Sequence, residues 1–442
     1  MPAAIAASWT CPPWPTAWPS SHKARPLAAQ LRQTAVNFAP GEKMTYCNGG
    51  YHLLSLVIEK VAGMPFEQFL QQRILAPLGM QDTASVPSDF EIHAGLACLY
   101  VPRAPEQGGG WRRGIFPTEE LRGEGAMIST LDDMFTWLAH LRAEKKTVGS
   151  EASWQQMMTR TTLNNGLVNP YGLGLMLHDY RGIDVIQHSG GVVGGTCQMI
   201  TVPGQALDII IMSNGAPANP IELGNRIIDI MLGDALLGMA KEQAAAARFT
   251  PMLGARYHAS ASGLVCGFAE TPEGRLGLTF LDGLPVPLTQ DGDVLRVDFE
   301  DMAIGPLALQ SAALAVENQP LPSTLAISEA GHVEYYERLP VTAPPLAEVA
   351  PALLGRYHAS DLQAEALLRF DGAQLLLEVS GPYGGDVMVL EAFSDLVFGL
   401  RFGGEYPPLR GVLSVERSAG SITALRVNTP RTRNLRFERM AG

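Results

Sequence analysis

Charge is scarce in this 442-residue chain, and the charge present runs acidic. Asp, Glu, Lys and Arg make up 17% of residues, with 44 acids against 32 bases and a net charge of −12. A nucleic-acid surface needs clustered cations to displace counterions, so nucleic acid is not an expected partner, and neither is an anionic membrane surface. No apolar run approaches the ~20 residues that a bilayer span needs. Cysteine is rare and odd in number: Cys11, Cys47, Cys98, Cys197 and Cys266. Their scatter, without CxxC spacing, argues against a disulfide framework and gives no metal signature; it fits a reduced compartment. The N-terminus MPAAIAASWTCPPWP has no positive region and only a short apolar stretch, so no signal peptide is expected and the expected location is cytoplasmic. Apolar residues, by contrast, reach 46%, enough for a sizeable core. The length suggests about three domains at ~150 residues each.

Residues 1–35 are read as an irregular segment. Pro2, Pro12, Pro13, Pro15, Pro19 and Pro26 crowd it, with Trp9, Trp14 and Trp18 between them. Proline at this density forbids helix and interrupts strand ladders. The spacing then predicts a helix over 48–62, where Leu53, Leu54, Val57, Ile58 and Val61 form an apolar stripe and Gly63 ends it. Pro65 opens a second helix carrying Phe66, Phe69, Leu70 and Ile74. Ser129 or Thr130 caps a third, with Asp132 and Asp133 in its first turn. Residues 171–177, 183–188, 196–202 and 207–213 read as strands, followed by a helix near 220–238.

After about Phe249 short alternating runs dominate, punctuated by Asp291-Gly292 and Asp371-Gly372. An internal repeat lies here. Pro251, Leu253, Arg256 and Tyr257-His258-Ala259-Ser260 recur 100 residues later as Pro351, Leu353, Arg356 and Tyr357-His358-Ala359-Ser360. This predicts two copies of one small β-domain, at 250–340 and 350–442, with VTAPPLAEVAP as linker. A domain at 36–245 precedes them.

The strongest chemical signal is Phe38-Ala39-Pro40-Gly41-Glu42-Lys43-Met44-Thr45-Tyr46-Cys47-Asn48-Gly49-Gly50-Tyr51. A Pro-Gly turn leads into an extended Tyr46-x-Asn48, whose two side chains point to one side. The phenol can relay a proton and the amide can orient a carbonyl. The stretch from Pro40 through Thr83 resembles the serine β-lactamase and penicillin-binding-protein family, which includes class C enzymes, esterases and D-aminopeptidases. Gly125-Ala126-Met127-Ile128-Ser129-Thr130-Leu131-Asp132-Asp133, Tyr171-Gly172-Leu173-Gly174 and His188-Ser189-Gly190-Gly191 are similar to later blocks of that family, in its order, over roughly residues 36–240. The resemblance implies an α+β fold, an antiparallel sheet flanked by helices, β-lactamase/transpeptidase-like but truncated, followed by two small antiparallel β-barrel domains. Where β-lactamases carry Lys-Thr-Gly, this chain has His188-x-Gly190, which looks like the D-aminopeptidases and some esterases. The resemblance then implies a serine hydrolase that releases N-terminal D-amino acids from peptides, amides or esters through an acyl-enzyme. Tyr46, Asn48, His188 and Gly190 would be catalytic, and Ser189 and Gly191 would bind substrate. In the family an acidic residue on a loop of the last barrel helps hold the substrate amine, which suggests Glu405 here. No metal or organic cofactor is implied, and a homodimer is expected.

The family's nucleophile lies in Ser-x-x-Lys at the head of a buried helix. The formal match here is Ser20-Ser21-His22-Lys23, but Pro19 precedes it, Pro26 follows, and no apolar stripe succeeds it. The expectation is an N-terminally incomplete chain with little or no turnover and exposed apolar surface. A β-lactamase-like esterase, a carboxypeptidase and a non-catalytic family member are the alternatives.

Overall fold

The structure, a computed structural model, describes residues 32–33, 36–86, 91–103, 108–114, 122–215, 218–237, 244–281, 283, 285–291, 294–297, 307–310, 321–329, 331–382, 384–402, 410–429 and 432–441. They fall into two compact units. One runs from Asn48 to Leu237; the other holds the described residues before Asn48 and those from Ala244 on.

In the first unit, α1 (Asn48–Ala62) ends as Gly63 turns left-handed at φ 67°, a conformation without penalty only for glycine. α2 (Phe66–Leu70) continues through a π turn (Gln71–Leu75) and stops at Gly79, φ 77°. α3 (Leu131–Arg142) is capped by Thr130, whose hydroxyl accepts from the Asp133 amide. α4 (Glu151–Met157) is capped likewise by Ser150. Four antiparallel strands follow: β1 (Met176–Tyr180), β2 (Ile183–Val192), β3 (Gly195–Val202) and β4 (Leu207–Ser213), in the spatial order β4-β3-β2-β1. α5 (Pro220–Leu232) closes the unit, with Asn219 as cap and Pro220 in its first turn.

The sheet is covered on both faces, as its alternation requires. Ile183, Val185, Ile200, Val202 and Ile209 pack with Ile228 of α5. A side chain at Gly224 would meet Ile200 Cδ1 at 2.5 Å, so glycine lets α5 lie close. Leu177, Ile186, Met199 and Ile210 turn the other way, toward Leu138 and Leu141 of α3 and Trp154 of α4. Arg142 ties α3 to β4 through a fork on Asp208, Nε–Oδ1 3.0 Å and Nη2–Oδ2 2.6 Å.

Two expectations need correction. The strand expected at 171–177 starts only at Met176; Tyr171–Leu175 is a loop, turned by Gly174 at φ 84°. The last helix ends at Leu232 rather than near 238. In α1 the buried face is Gly49, His52 and Ser55, while Leu54, Val57 and Val61 of the apolar stripe are exposed. The reason is Arg122, which lies buried between Glu59 at 2.7 Å and Glu67 at 2.9 Å. A buried guanidinium needs its carboxylates, and these come from the polar side of α1 and from α2.

The second unit holds two closed eight-stranded barrels. The first runs from strand Arg256–His258 to strand His332–Arg338 and closes on the pair Tyr257–Arg338; the second runs from Gly355–Ala359 to Leu435–Arg439 and closes on Tyr357–Arg439. Closure leaves no free edge. The linker expected between them is partly helix: Leu346–Leu353, whose Leu346, Val349, Ala350 and Leu353 pack onto the second barrel's core.

Candidate active site

The β2 strand outruns its neighbour. β1 pairs with β2 only up to Met176–Gln187, whereas β3 pairs with it as far as Val192. From His188 to Val192 the strand therefore has a ladder on one side only among the described residues. A strand edge with a ladder on one side only is where an extended ligand can add. His188, Ser189, Gly190 and Gly191 all lie on this stretch. His188 and Gly190 share the sheet face that carries Ile186. Gly190 sits opposite Cys197, and a Cβ there would come within 2.7 Å of the thiol sulfur; Gly191 faces open space. The Cys197 side chain is exposed.

His188 is held at both ring nitrogens. Nδ1 donates to the Ser189 carbonyl at 2.5 Å, and Nε2 lies 3.3 Å from the Tyr171 hydroxyl. The Tyr171 and His188 rings meet edge-on, with centroids 6.3 Å apart and planes at 63°. Burial pushes the imidazole below its ordinary pKa, against a smaller upward pull from the Ser189 carbonyl. Tyr171 was legible only as part of a block read as strand; its place in a loop brings its hydroxyl to the histidine.

That loop also reaches α1. A Cβ on Gly174 would lie 3.4 Å from the Tyr51 hydroxyl, and one on Gly123, at φ 92°, would strike the Tyr51 carbonyl at 2.5 Å. Asn48 opens α1 one turn before Tyr51. The 171–175 loop thus approaches Tyr51 of α1 at Gly174 and His188 of β2 at Tyr171. Tyr46 belongs to the other unit, two residues before Asn48. Ser20, Lys23 and Glu405 lie outside the described residues.

Two titratable groups escaped the sequence reading. Glu124, beside Gly123, has its carboxyl raised to about 7 by burial, and its Oε2 has no hydrogen-bond partner among the described residues. His178, on the opposite sheet face from His188, is lowered to about 4, first by burial and then by Arg160. It lies 3.4 Å from Gln187 Nε2, and Gln187 Oε1 accepts from Gln198. Neither residue sits in a recognisable motif; only burial marks them. Among the described residues no cluster of His, Cys, Asp and Glu could hold a metal ion.

The family model described as beta-lactamase matches residues 6–229. The D-aminopeptidase of Brucella anthropi is 24% identical over 360 residues, covering 80% of this chain and 61% of that protein. The D-aminopeptidase of Cereibacter sphaeroides strain KD131 is 24% identical over 441 residues, covering 94% of this chain and 75% of that protein. Among solved structures, the D-amino acid amidase from Ochrobactrum anthropi SV3 complexed with L-phenylalanine amide is 23% identical, covering 50% of this chain and 66% of that one, with a TM-score of 0.41. The chain thus spans less than two thirds of the length of the Brucella anthropi relative.

Proposed function

Because the chain belongs to the beta-lactamase family, we propose that it is a serine hydrolase of the D-aminopeptidase kind, releasing N-terminal D-amino acids from small peptides, amides or esters. The observation that carries the reading is the histidine in the third motif, bonded through Nδ1 on a strand stretch that has a ladder on one side only among the described residues. The alignment with D-aminopeptidases supports it, since it runs over 94% of the chain, the two barrels included.

In this reading Ser20 Oγ attacks the scissile carbonyl and Lys23 takes its proton. Tyr46 relays that proton to the leaving amine, and Asn48 orients the substrate carbonyl. Water then releases the acyl group from Ser20. His188-x-Gly190 lines the third wall with Ser189 and Gly191, and Glu405 meets the substrate amine. Asn48 and His188 would line one cleft. The family match runs across Ser20 and Lys23, which supports this pair; the prolines on either side of it favour a second reading, a non-catalytic member using the same cleft. Both readings keep the protein in the cytoplasm as a homodimer, a state that light scattering on the purified chain would test.

The deciding experiment assays the chain on D- and L-amino-acid amides and a chromogenic cephalosporin, with Ser20→Ala in parallel. Slow turnover of the D-amides alone, abolished by Ser20→Ala, is expected. D-selective turnover untouched by Ser20→Ala would move the nucleophile elsewhere. Binding of D-amides without turnover would favour the non-catalytic reading, and neither binding nor turnover would overturn both.

A further inference from the structure

We propose that Tyr171 is a positioning residue of the His188 wall: its hydroxyl donates to Nε2 and holds the ring as the uncharged, Nδ1-protonated tautomer. The role rests on the reading of His188 as part of a substrate wall, but the geometry does not. A carbonyl oxygen can only accept, so the 2.5 Å contact to Ser189 puts the ring proton on Nδ1. A neutral imidazole carries one N–H, which leaves a lone pair on Nε2. The phenol at 3.3 Å supplies the donor for that lone pair.

Tyr171 is itself fixed. Its ring is buried. Its amide donates to Asn169 O at 2.7 Å, and its carbonyl accepts from the Thr161 amide at 3.0 Å and the Thr161 hydroxyl at 3.1 Å. An isolated bridge to Met176 ties it to the start of β1. A group anchored at both backbone atoms and buried at its ring cannot swing away to let His188 choose another tautomer.

Protonating His188 would reverse the bond. Nε2–H would then donate to the phenol oxygen, and the phenol proton would need a new acceptor. Burial resists the cation as well, and β3 sets the apolar Met199 across from it. With both nitrogens engaged, the ring at neutral pH offers a ligand neither charge nor a spare N–H. What the strand edge presents is the backbone of Ser189–Gly191 and the open space beside Gly191. Such a wall suits an acyl substrate without a carboxylate at that point, and it gains a positive charge only on acidification.

The test is a pH titration of the full chain labelled with nitrogen-15 at histidine, with the His188 signals assigned through His188→Gln. The expected parent spectrum shows the Nδ1–H tautomer at neutral pH and proton uptake below the ordinary value of 6.5. Tyr171→Phe keeps the buried ring and removes the donor. It should mix the tautomers and raise the pH of proton uptake by about half to one unit, the size expected for one lost hydrogen bond. The acid limb of kcat/KM on a D-amino-acid amide should move the same way, which loss of packing alone would not produce. An unchanged His188 spectrum in Tyr171→Phe overturns the proposal. So does a parent spectrum with the Nε2–H tautomer or a charged ring at neutral pH, a result that holds even if the variant does not fold. Spectra as expected without any D-amide turnover would sink the functional reading and leave the role of Tyr171 standing.

Discussion

Residue by residue, burial here acts through protons. Glu124 keeps its proton in the folded chain up to about 7, whereas an ordinary glutamate gives it up near 4.5. Between those values the unfolded chain binds fewer protons, so this group lowers stability as pH rises. His178 works oppositely. Its folded value of about 4 lies below the ordinary 6.5, so the unfolded chain binds more protons in that window and stability is lost as pH falls through it. The two slopes oppose each other in the overlap. Glu124→Gln should therefore steepen the rise of stability up to about 6.5 and leave the variant more stable than the parent above about 7. Urea denaturation midpoints across pH read this directly; equal slopes for parent and variant would contradict it. Glu124 escaped the sequence reading because a carboxyl's surroundings are set by chain segments far away, and no local spacing encodes them.

At the scale of elements, the caps were legible and the edges were not. Ser129 and Thr130 were both open to the cap of α3, since either hydroxyl suits the position. The structure gives it to Thr130, at 3.3 Å from the Asp133 amide, while Ser129 bonds Thr83 at 2.7 Å. Asp133 itself accepts from the Asp82 amide at 2.9 Å and from Thr83 at 2.7 Å. Thr130→Ala should lower stability by about 1 kcal/mol, the usual value of a lost cap, and Ser129→Ala by less; the difference in chemical denaturation midpoint checks the order. The sheet entry at 171–177 went wrong for a physical reason. Tyr171-Gly172-Leu173-Gly174 alternates like a strand, yet Gly174 turns the chain and a Cβ at Gly172 would strike the Met157 carbonyl at 2.2 Å. The α1 stripe shows the limit of such patterns, because periodicity shows that a helix is amphipathic without showing what lies against each face.

For the whole molecule, the 100-residue repeat marks equivalent places. Tyr257 and Tyr357 each lie in the first strand of a barrel, each opposite an arginine of the last strand, and both are fully buried. Their hydroxyls donate to backbone carbonyls, Tyr257 to Pro322 at 3.2 Å and Tyr357 to Leu353 at 2.6 Å. The barrels share a separate apolar cluster in which Val265 and Leu281 of the first meet Phe393, Val397 and Val412 of the second. Arg256 lies over the Phe393 ring at 4.5 Å. Phe393→Ala should cost about 3–5 kcal/mol, as for other buried aromatics, and should split the barrels' joint thermal transition into two. A single unshifted transition in calorimetry would show that the cluster does not couple them.

The sequence by itself determined the local and the repeated. Asn48–Ala62 is helical because its propensities and its glycine stop act within a few residues, and the doubled Tyr-His-Ala-Ser marks a doubled barrel because equal segments fold alike. It also located His188 on a strand before a glycine pair. Only the tertiary structure decided what that histidine is. Its tautomer depends on a tyrosine 17 residues away in sequence, brought there by a loop that alternation alone reads as strand. The same holds for the buried face of α1, chosen by Arg122 from beyond it. Hydrogen bonds and burial act over a few ångströms in space, and which residues come that close is settled by the packing of whole elements.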